Sequence, residues 1–378
     1  MATVGIICEY NPFHLGHAKQ FRLVREHLGA DTAICCLMSG NYVQRGTPAM
    51  FDRLCRARAA VACGADLVLE LPVLGSLCSA EGFARTGVEI LSGLCDYLSF
   101  GTESGSLDAL LATAEALLSP SFSPALRQAL STGVSFPVAR AMAMEALGSD
   151  ASLLRRPNDI LAVEYTKAIV QLGSKMKPLP VQREGDYHAI QADRENPSAT
   201  AVRDCILRGQ EVSAYLPDEA AACFRNASVH TLQAGERAVL YRLRTMAEED
   251  FAGLPYGSEG LWRRLMHACR RETTLEDIFT VVKTKRYPRT RLNRMVLCAF
   301  LGITEEILAA PAPYTRILAF NRRGREVLKA AAQPERLVNL GQRVDVPYGE
   351  LEDRCQALYP LFCLGEIPSR ERQRVISL

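Results

Sequence analysis

Through the first hundred residues, short unbroken apolar runs alternate with longer stretches whose apolar positions recur at three- and four-residue intervals. Val4-Gly5-Ile6-Ile7-Cys8, Ala33-Ile34-Cys35-Cys36-Leu37-Met38, Leu67-Val68-Leu69 and Tyr97-Leu98-Ser99-Phe100 have the length and continuity of strands buried on both faces. Between them the spacing predicts helices over about 16–27, with Phe21, Val24 and Leu28 on one side, over about 52–63, and over about 80–91. This repeated strand–helix order predicts an α/β fold built on a parallel sheet with helical crossovers. Ligands of such sheets bind beyond the carboxyl ends of the strands, so chemistry is expected in the loops after the first, second and fourth strands.

Residues of about 107–172 read as mainly helical, 178–181 add a late strand, and Ser198 opens a further helix. Beyond about Gly209 no strand–helix alternation is legible. Pro217-Asp218-Glu219 reads as a helix start, and Thr273-Thr274-Leu275-Glu276 as a capping box. The expected organisation is therefore an α/β domain over 1–208 and a mainly α-helical domain over 209–378. A length of 378 residues agrees with two units.

Composition changes this picture little. A hydrophobic share of 48% and a charged share of 23% are those of a globular protein. A net charge of +2 means that any nucleic-acid surface must be a local patch. The start of the chain lacks the pattern of a signal peptide, and no apolar run is long enough to span a bilayer; no membrane association and a cytoplasmic location are expected. The thirteen cysteines are scattered with no C-x-x-C pair, and several lie inside apolar runs. They read as small buried hydrophobes in a reducing compartment, and no structural metal is expected.

The densest chemistry is Glu9-Tyr10-Asn11-Pro12-Phe13-His14-Leu15-Gly16-His17, between the first strand and the first helix. Asn11-Pro12 supplies a turn, and H-x-G-H sets two imidazoles at the helix entrance. Gly16 would let a nucleotide approach the backbone closely. The helix N-terminus and the imidazoles of His14 and His17 offer donors to phosphate oxygens. An isolated H-x-G-H would read as two surface histidines beside a tight turn; strand, turn and helix together favour the catalytic reading.

Other segments admit two readings each. Gly101 after the fourth strand could leave room for an adenine or ribose, or form a plain turn. Asn158, beside Pro157, could contact nucleotide or cap a helix. Ser198-Ala199-Thr200-x-x-Arg203 could hold phosphate, with Ser198 and Thr200 as donors and Arg203 neutralising charge, or be an ordinary capped helix. Ser39-Gly40-Asn41 with Gln44-Arg45 could enclose a second substrate or pack beneath the first. The stretch Lys283, Lys285, Arg286, Arg289, Arg291 and Arg294 has six cations and no acid, with Tyr287 among them. It is either a salt-sensitive RNA patch or a solvated basic face.

The first of these segments resembles the H-x-G-H signature of the nucleotidyltransferase superfamily, which includes class I aminoacyl-tRNA synthetases. More narrowly, the chain resembles the bacterial tRNA(Met) cytidine acetate ligase family. The resemblance rests on Glu9–His14, Met38-Ser39-Gly40-Asn41-Tyr42-Val43-Gln44-Arg45-Gly46, Ser99-Phe100-Gly101-Thr102-Glu103 and Pro157-Asn158-Asp159-Ile160-Leu161 with Glu164-Tyr165. Tyr187-His188, Ser198–Arg203 and the basic stretch follow, in family order over about residues 1–320. Leu15 and Asp159 stand where the family pattern has Asn, and Glu184-Gly185-Asp186 departs from its small uncharged spacing.

The resemblance implies a Rossmann-like nucleotidyltransferase core followed by a helical tRNA-binding domain. It implies ATP as substrate, with Mg²⁺, and acetate and elongator tRNA(Met) as partners. The activity implied is formation of acetyl-adenylate and acetylation of the wobble cytidine to N4-acetylcytidine. By the same route His14 and His17 are catalytic. ATP contacts fall on Ile7, Cys8, Glu9, Tyr10, Asn11, Pro12, Phe13, His14, Leu15, Gly16, His17, Ala18, Lys19 and Gln20, and on Gly101, Asn158 and Arg183. The alternative on the same site is a small-molecule adenylyltransferase of cofactor biosynthesis, which leaves the basic stretch unexplained. A further alternative is an RNA-binding protein with a regulatory nucleotide site.

Overall fold

The computed structural model describes residues 1–103, 106–182, 197–367 and 374–378. The apolar runs form the expected strands with slightly wider bounds: β1 (Thr3–Cys8), β2 (Ala33–Ser39), β5 (Leu67–Leu71), β6 (Tyr97–Thr102) and β7 (Lys177–Gln182). A hairpin of β3 (Tyr42–Val43) and β4 (Thr47–Pro48) stands apart from the main sheet. Helix α1 (Leu15–Leu28) crosses from β1 to β2, and α2 (Arg53–Ala62) leads from the hairpin to β5. The helix Ala80–Leu91 has the predicted bounds, and four helices between Leu107 and Gln171 fill the region read as helical.

The five strands lie side by side as β5-β2-β1-β6-β7, every pair parallel. From β1 the chain moves one way to β2 and β5, then returns to the other flank for β6 and β7. The winding direction therefore reverses at β1, and a crevice opens beyond the carboxyl ends of β1 and β6. One face of the sheet buries Ile6, Cys36 and Met38 against Phe21 and Val24 of α1 and Ala57 and Ala60 of α2. The opposite face buries Ile7, Leu37 and Leu69 against Phe83 and Val88 of the helix Ala80–Leu91 and Ala162 and Tyr165 of the helix Pro157–Gln171. Strands buried on both sides explain why their sequence runs are continuous rather than alternating.

The C-terminal part of the chain is mainly helical, as expected, and among the described residues adds three short strands. Helices do fill Asp218–Ala309, around a third core that includes Leu265, Ile278, Phe279 and Leu297. The chain then rejoins the main sheet. Strand β8 (Thr315–Phe320) pairs antiparallel with β5, and β9 (Leu337–Asn339) and β10 (Ile376–Ser377) pair parallel with β8. Residues 209–378 thus supply, besides their helices, three strands of the main sheet. The physical reason is the outer edge of β5: all five of its residues are buried, and its backbone groups need a ladder partner.

A buried charged network fastens this return. Arg316 in β8 grips Glu352 of the helix Pro347–Leu358 through Nη2 at 2.7 Å and Nε at 2.9 Å, and Tyr314 donates to the same carboxylate at 2.7 Å. Beside it Arg53 pairs with Glu70 at 2.5 Å and lies 3.9 Å from Glu352. The thirteen cysteines are free thiols. Among the described residues no helix is long and apolar enough to cross a membrane.

Candidate active site

The turn leaving β1 ends at His14, the N-cap of α1. Its Nδ1 accepts the Gly16 N–H at 3.1 Å, and the His17 Nδ1 accepts the His14 N–H at 3.2 Å, a reciprocal capping box made of two imidazoles. Their rings stack with centroids 3.7 Å apart at 25°. An Nδ1 that accepts from an amide carries no proton, so both neutral rings hold their hydrogen on Nε2. Tyr10 and Phe13 wall the His17 ring at centroid distances of 4.8 and 5.4 Å. A Cβ on residue 16 would lie 3.0–3.1 Å from the His14 ring. Gly16 therefore makes space for the His14 ring.

Three distant segments hold this turn. Asn11 Oδ1 accepts the Met50 N–H at 2.8 Å, and Arg203 Nη1 donates to the Asn11 carbonyl at 2.6 Å. Arg203 also donates to Thr200 at 3.1 Å, while Ser198 caps the helix Ala199–Leu207 by accepting from Ala201 N. The capped-helix reading of Ser198 is thus realised in the structure. The start of that helix lies close to α1, because the Pro197 carbonyl would sit 3.9 Å from a Cβ on Gly16. The third support is Arg56, wholly buried, which donates to the Glu9 carbonyl at 2.6 Å and the Ser39 carbonyl at 3.0 Å, and also to Gly40 and Phe51. Nothing in the sequence singled it out.

The opposite wall is the end of β6. Gly101 lies within β6, paired with Val181, rather than after the strand. Asn158 is the second residue of the helix Pro157–Gln171, whose N-cap is Arg156, so the capping reading of Asn158 does not hold. Instead Asn158 Nδ2 donates to Glu103 at 3.0 Å, and Asp159 accepts from the Thr102 hydroxyl at 2.6 Å and from Glu103 N at 2.8 Å. Together they hold the rim of the crevice. Gln20 of α1 reaches Ser99 of β6 at 3.2 Å. Ile7 and Tyr10 are buried, with Tyr10 OH 3.3 Å from Cys36 Sγ. Burial pushes the Cys8 thiol and the Tyr10 phenol well above their ordinary pKa values, which keeps both neutral. Cys8, Leu15, Ala18 and Lys19 are half-buried along the same turn and helix. Arg183 and Tyr187-His188 lie outside the described residues.

The loop after β2 is clamped from two sides. Glu9 accepts the Gln44 N–H at 2.7 Å, joining it to the turn. From the other side Arg294 donates to the Gln44 carbonyl at 3.2 Å and Asn293 to the Arg45 carbonyl at 3.3 Å. Gly46, at φ 74°, has no room for a side chain against the Asn293–Arg294 backbone. The basic stretch is thus packed against the loop, and only its second half, Arg289–Leu301, is helical.

Its cations divide. Arg286 pairs with Glu259 at 2.5 Å, and Arg289 pairs with Glu276 at 2.7–2.8 Å while lying over the Phe279 ring. Arg291 donates to the Tyr256 carbonyl at 2.8 and 3.0 Å. Lys283 and Lys285 are exposed, with no ion pair among the described residues. Tyr287 is half-buried against the helical core.

A family model described as HIGH Nucleotidyl Transferase matches residues 1–353 of the chain. A Clostridium perfringens protein named tRNA(Met) cytidine acetate ligase is 34% identical over 350 residues, 87% of each chain. One of the same name from Alkaliphilus metalliredigens is 35% identical over 363 residues, 88% of this chain and 85% of that one. Two crystal structures from Thermotoga maritima cover 100% of both chains. Apo TmcAL superposes with a TM-score of 0.91 at 28% identity, and TmcAL bound with alpha-thio ATP with 0.88 at 27%.

Proposed function

Because the chain belongs to the tRNA(Met) cytidine acetate ligase family of HIGH nucleotidyl transferases, we propose that it activates acetate with ATP and acetylates the wobble cytidine of elongator tRNA(Met). In the first step an acetate oxygen attacks the α-phosphorus, the bond to the β-phosphate breaks, and pyrophosphate leaves. In the second, the cytosine N4 attacks the acetyl carbon, AMP departs, and the amine loses a proton. The base must be presented unstacked for its amine to be reached.

The observation that carries this reading is the pair of stacked imidazoles at the head of α1, each with Nδ1 engaged by an amide and its proton on Nε2. Two fixed N–H donors at a helix N-terminus suit the charge that builds on phosphate oxygens as pyrophosphate departs. The ends of β1 and β6 would take the nucleotide, with Gly101 and Asn158 on one side. Ser198, Thr200 and Arg203, beside the turn through the Arg203 bond to Asn11, would face the phosphates. The loop Ser39–Gly46 would face the acyl group, and Lys283 and Lys285 would meet tRNA phosphates. Residues 1–208 would supply most of the nucleotide site, and residues 209–378 the RNA side. Among the described residues no group of three or more His, Cys, Asp or Glu side chains is arranged to hold a metal, so a Mg²⁺ ion would be held through the phosphates of ATP.

The test is incubation with ATP, Mg²⁺, labelled acetate and total tRNA, followed by digestion to nucleosides. Label in N4-acetylcytidine that requires ATP and not acetyl-CoA is the expected result. Pyrophosphate release that needs a phosphorylated metabolite and no tRNA would replace this reading with a small-molecule adenylyltransferase.

A further inference from the structure

Arg56 takes no part in the reaction as drawn above, yet it is the largest wholly buried side chain among the described residues. Its planar head gives Nε to the Phe51 carbonyl at 2.8 Å, Nη1 to Glu9 at 2.6 Å and Ser39 at 3.0 Å, and Nη2 to Gly40. The four acceptors belong to three separate segments: the turn leaving β1, the loop leaving β2, and the approach to α2. The turn leaving β1 borders the crevice, and the loop leaving β2 lies beside it on the side away from β6. Arg56 bonds to both of these lips at once.

Its surroundings separate it from the other buried arginines. Arg53 has Glu70 and Arg316 has Glu352 as ion-pair partners, as buried charges usually require. Arg56, one helical turn after Arg53, forms no ion pair among the described residues; its hydrogen bonds all end on main-chain carbonyls. Burial lowers the pKa of its guanidinium from the ordinary value, partly offset by Tyr359, Asp52 and Glu9 nearby. A guanidinium suits this place because one rigid plane presents donors in fixed directions. An ammonium could satisfy some of the carbonyls but could not hold their relative orientation.

We infer that Arg56 is a positioning residue for the adenylation step, setting the histidine-bearing turn and the Ser39–Gly40 loop at a fixed separation. The inference rests on the reaction proposed above. Arg56 meets the nucleotide side only at the Glu9 carbonyl, at the start of the turn and away from the head of α1, whereas it bonds the β2 side at both Ser39 and Gly40. The approach of a second reactant from the β2 side depends on both lips. Loss of Arg56 therefore falls on turnover more than on nucleotide affinity, since a displacement of about 1 Å costs on the order of 10²-fold in rate.

The experiment measures acetate-dependent ATP–pyrophosphate exchange, equilibrium binding of alpha-thio ATP and thermal melting for the full-length wild type, Arg56→Lys and Arg56→Ala. Expected for both variants are nearly unchanged nucleotide affinity and an exchange rate lower by about 10²-fold. Added guanidinium ion should restore part of the Arg56→Ala rate, and ammonium at equal ionic strength should not. Should Arg56→Ala fail to fold, the split between turnover and affinity in Arg56→Lys decides the matter. Wild-type exchange in a folded variant, or a loss carried entirely by nucleotide affinity, overturns the inference. Absence of exchange in the wild type would instead remove the proposed reaction.

Discussion

In the proposed reaction His14 would do two jobs with opposite ends of one ring. Nδ1 terminates a helix, and Nε2 holds the proton that a phosphate oxygen would meet. The two jobs can be separated by substitution. In His14→Asn the side chain remains a good N-cap, so the melting temperature should change little, whereas adenylation should fall by about 10²–10³-fold for the lost donor. His14→Ala should show the same catalytic loss and, in addition, lose about 1 kcal/mol of stability with the cap. Equal melting losses in the two variants would refute the capping half of this account, and full activity in His14→Asn the donor half. At this scale the sequence was partly legible. H-x-G-H announces its histidines because both lie within one local segment. Arg56 stayed hidden because Arg53-Leu54-Cys55-Arg56-Ala57-Arg58 reads as an ordinary basic helical turn. Three of the four carbonyls that claim Arg56 come from the ends of β1 and β2, 16 to 47 residues earlier in the chain.

Among elements, the basic stretch shows how far charge counting can mislead. Six cations without an acid suggest a uniform patch, but Glu259 and Glu276 arrive from neighbouring elements to take Arg286 and Arg289. The exposed Lys283 and Lys285 remain the better candidates for binding phosphate. Lys283→Ala with Lys285→Ala should weaken tRNA binding at low salt and flatten the plot of log affinity against log salt, with folding intact. The slope should fall by about 0.7–0.9 for each phosphate that is no longer neutralised. Arg289→Ala should leave that slope alone and cost about 1–2 kcal/mol, for a half-exposed ion pair and a cation–π contact. A salt titration of tRNA binding beside a thermal melt checks both. The hairpin β3–β4 was also missed, because two-residue strands leave no periodicity to detect.

For the molecule as a whole, the strands from β1 to β7 were legible from apolar runs bounded by turns, and β8 was not. Arg316 interrupts the hydrophobic pattern of Thr315–Phe320, and the carboxylate that permits its burial lies in Glu352, on the helix Pro347–Leu358. Glu352→Ala would leave Arg316 without its carboxylate partner in a buried site and remove one of the carboxylates near Arg53. It should destabilise the protein by about 3–5 kcal/mol, measured by urea unfolding. A loss below about 1 kcal/mol would place the fastening of β8 in its backbone ladder and apolar packing instead. The antiparallel return has one further consequence, for the protein as it is made. The flank of β5 is synthesised long before Thr315 emerges to cover it. At ordinary translation speeds that delay is on the order of tens of seconds. For that interval each nascent chain carries a sticky rim, and crowded ribosomes would favour mispairing between neighbours unless a chaperone shields it.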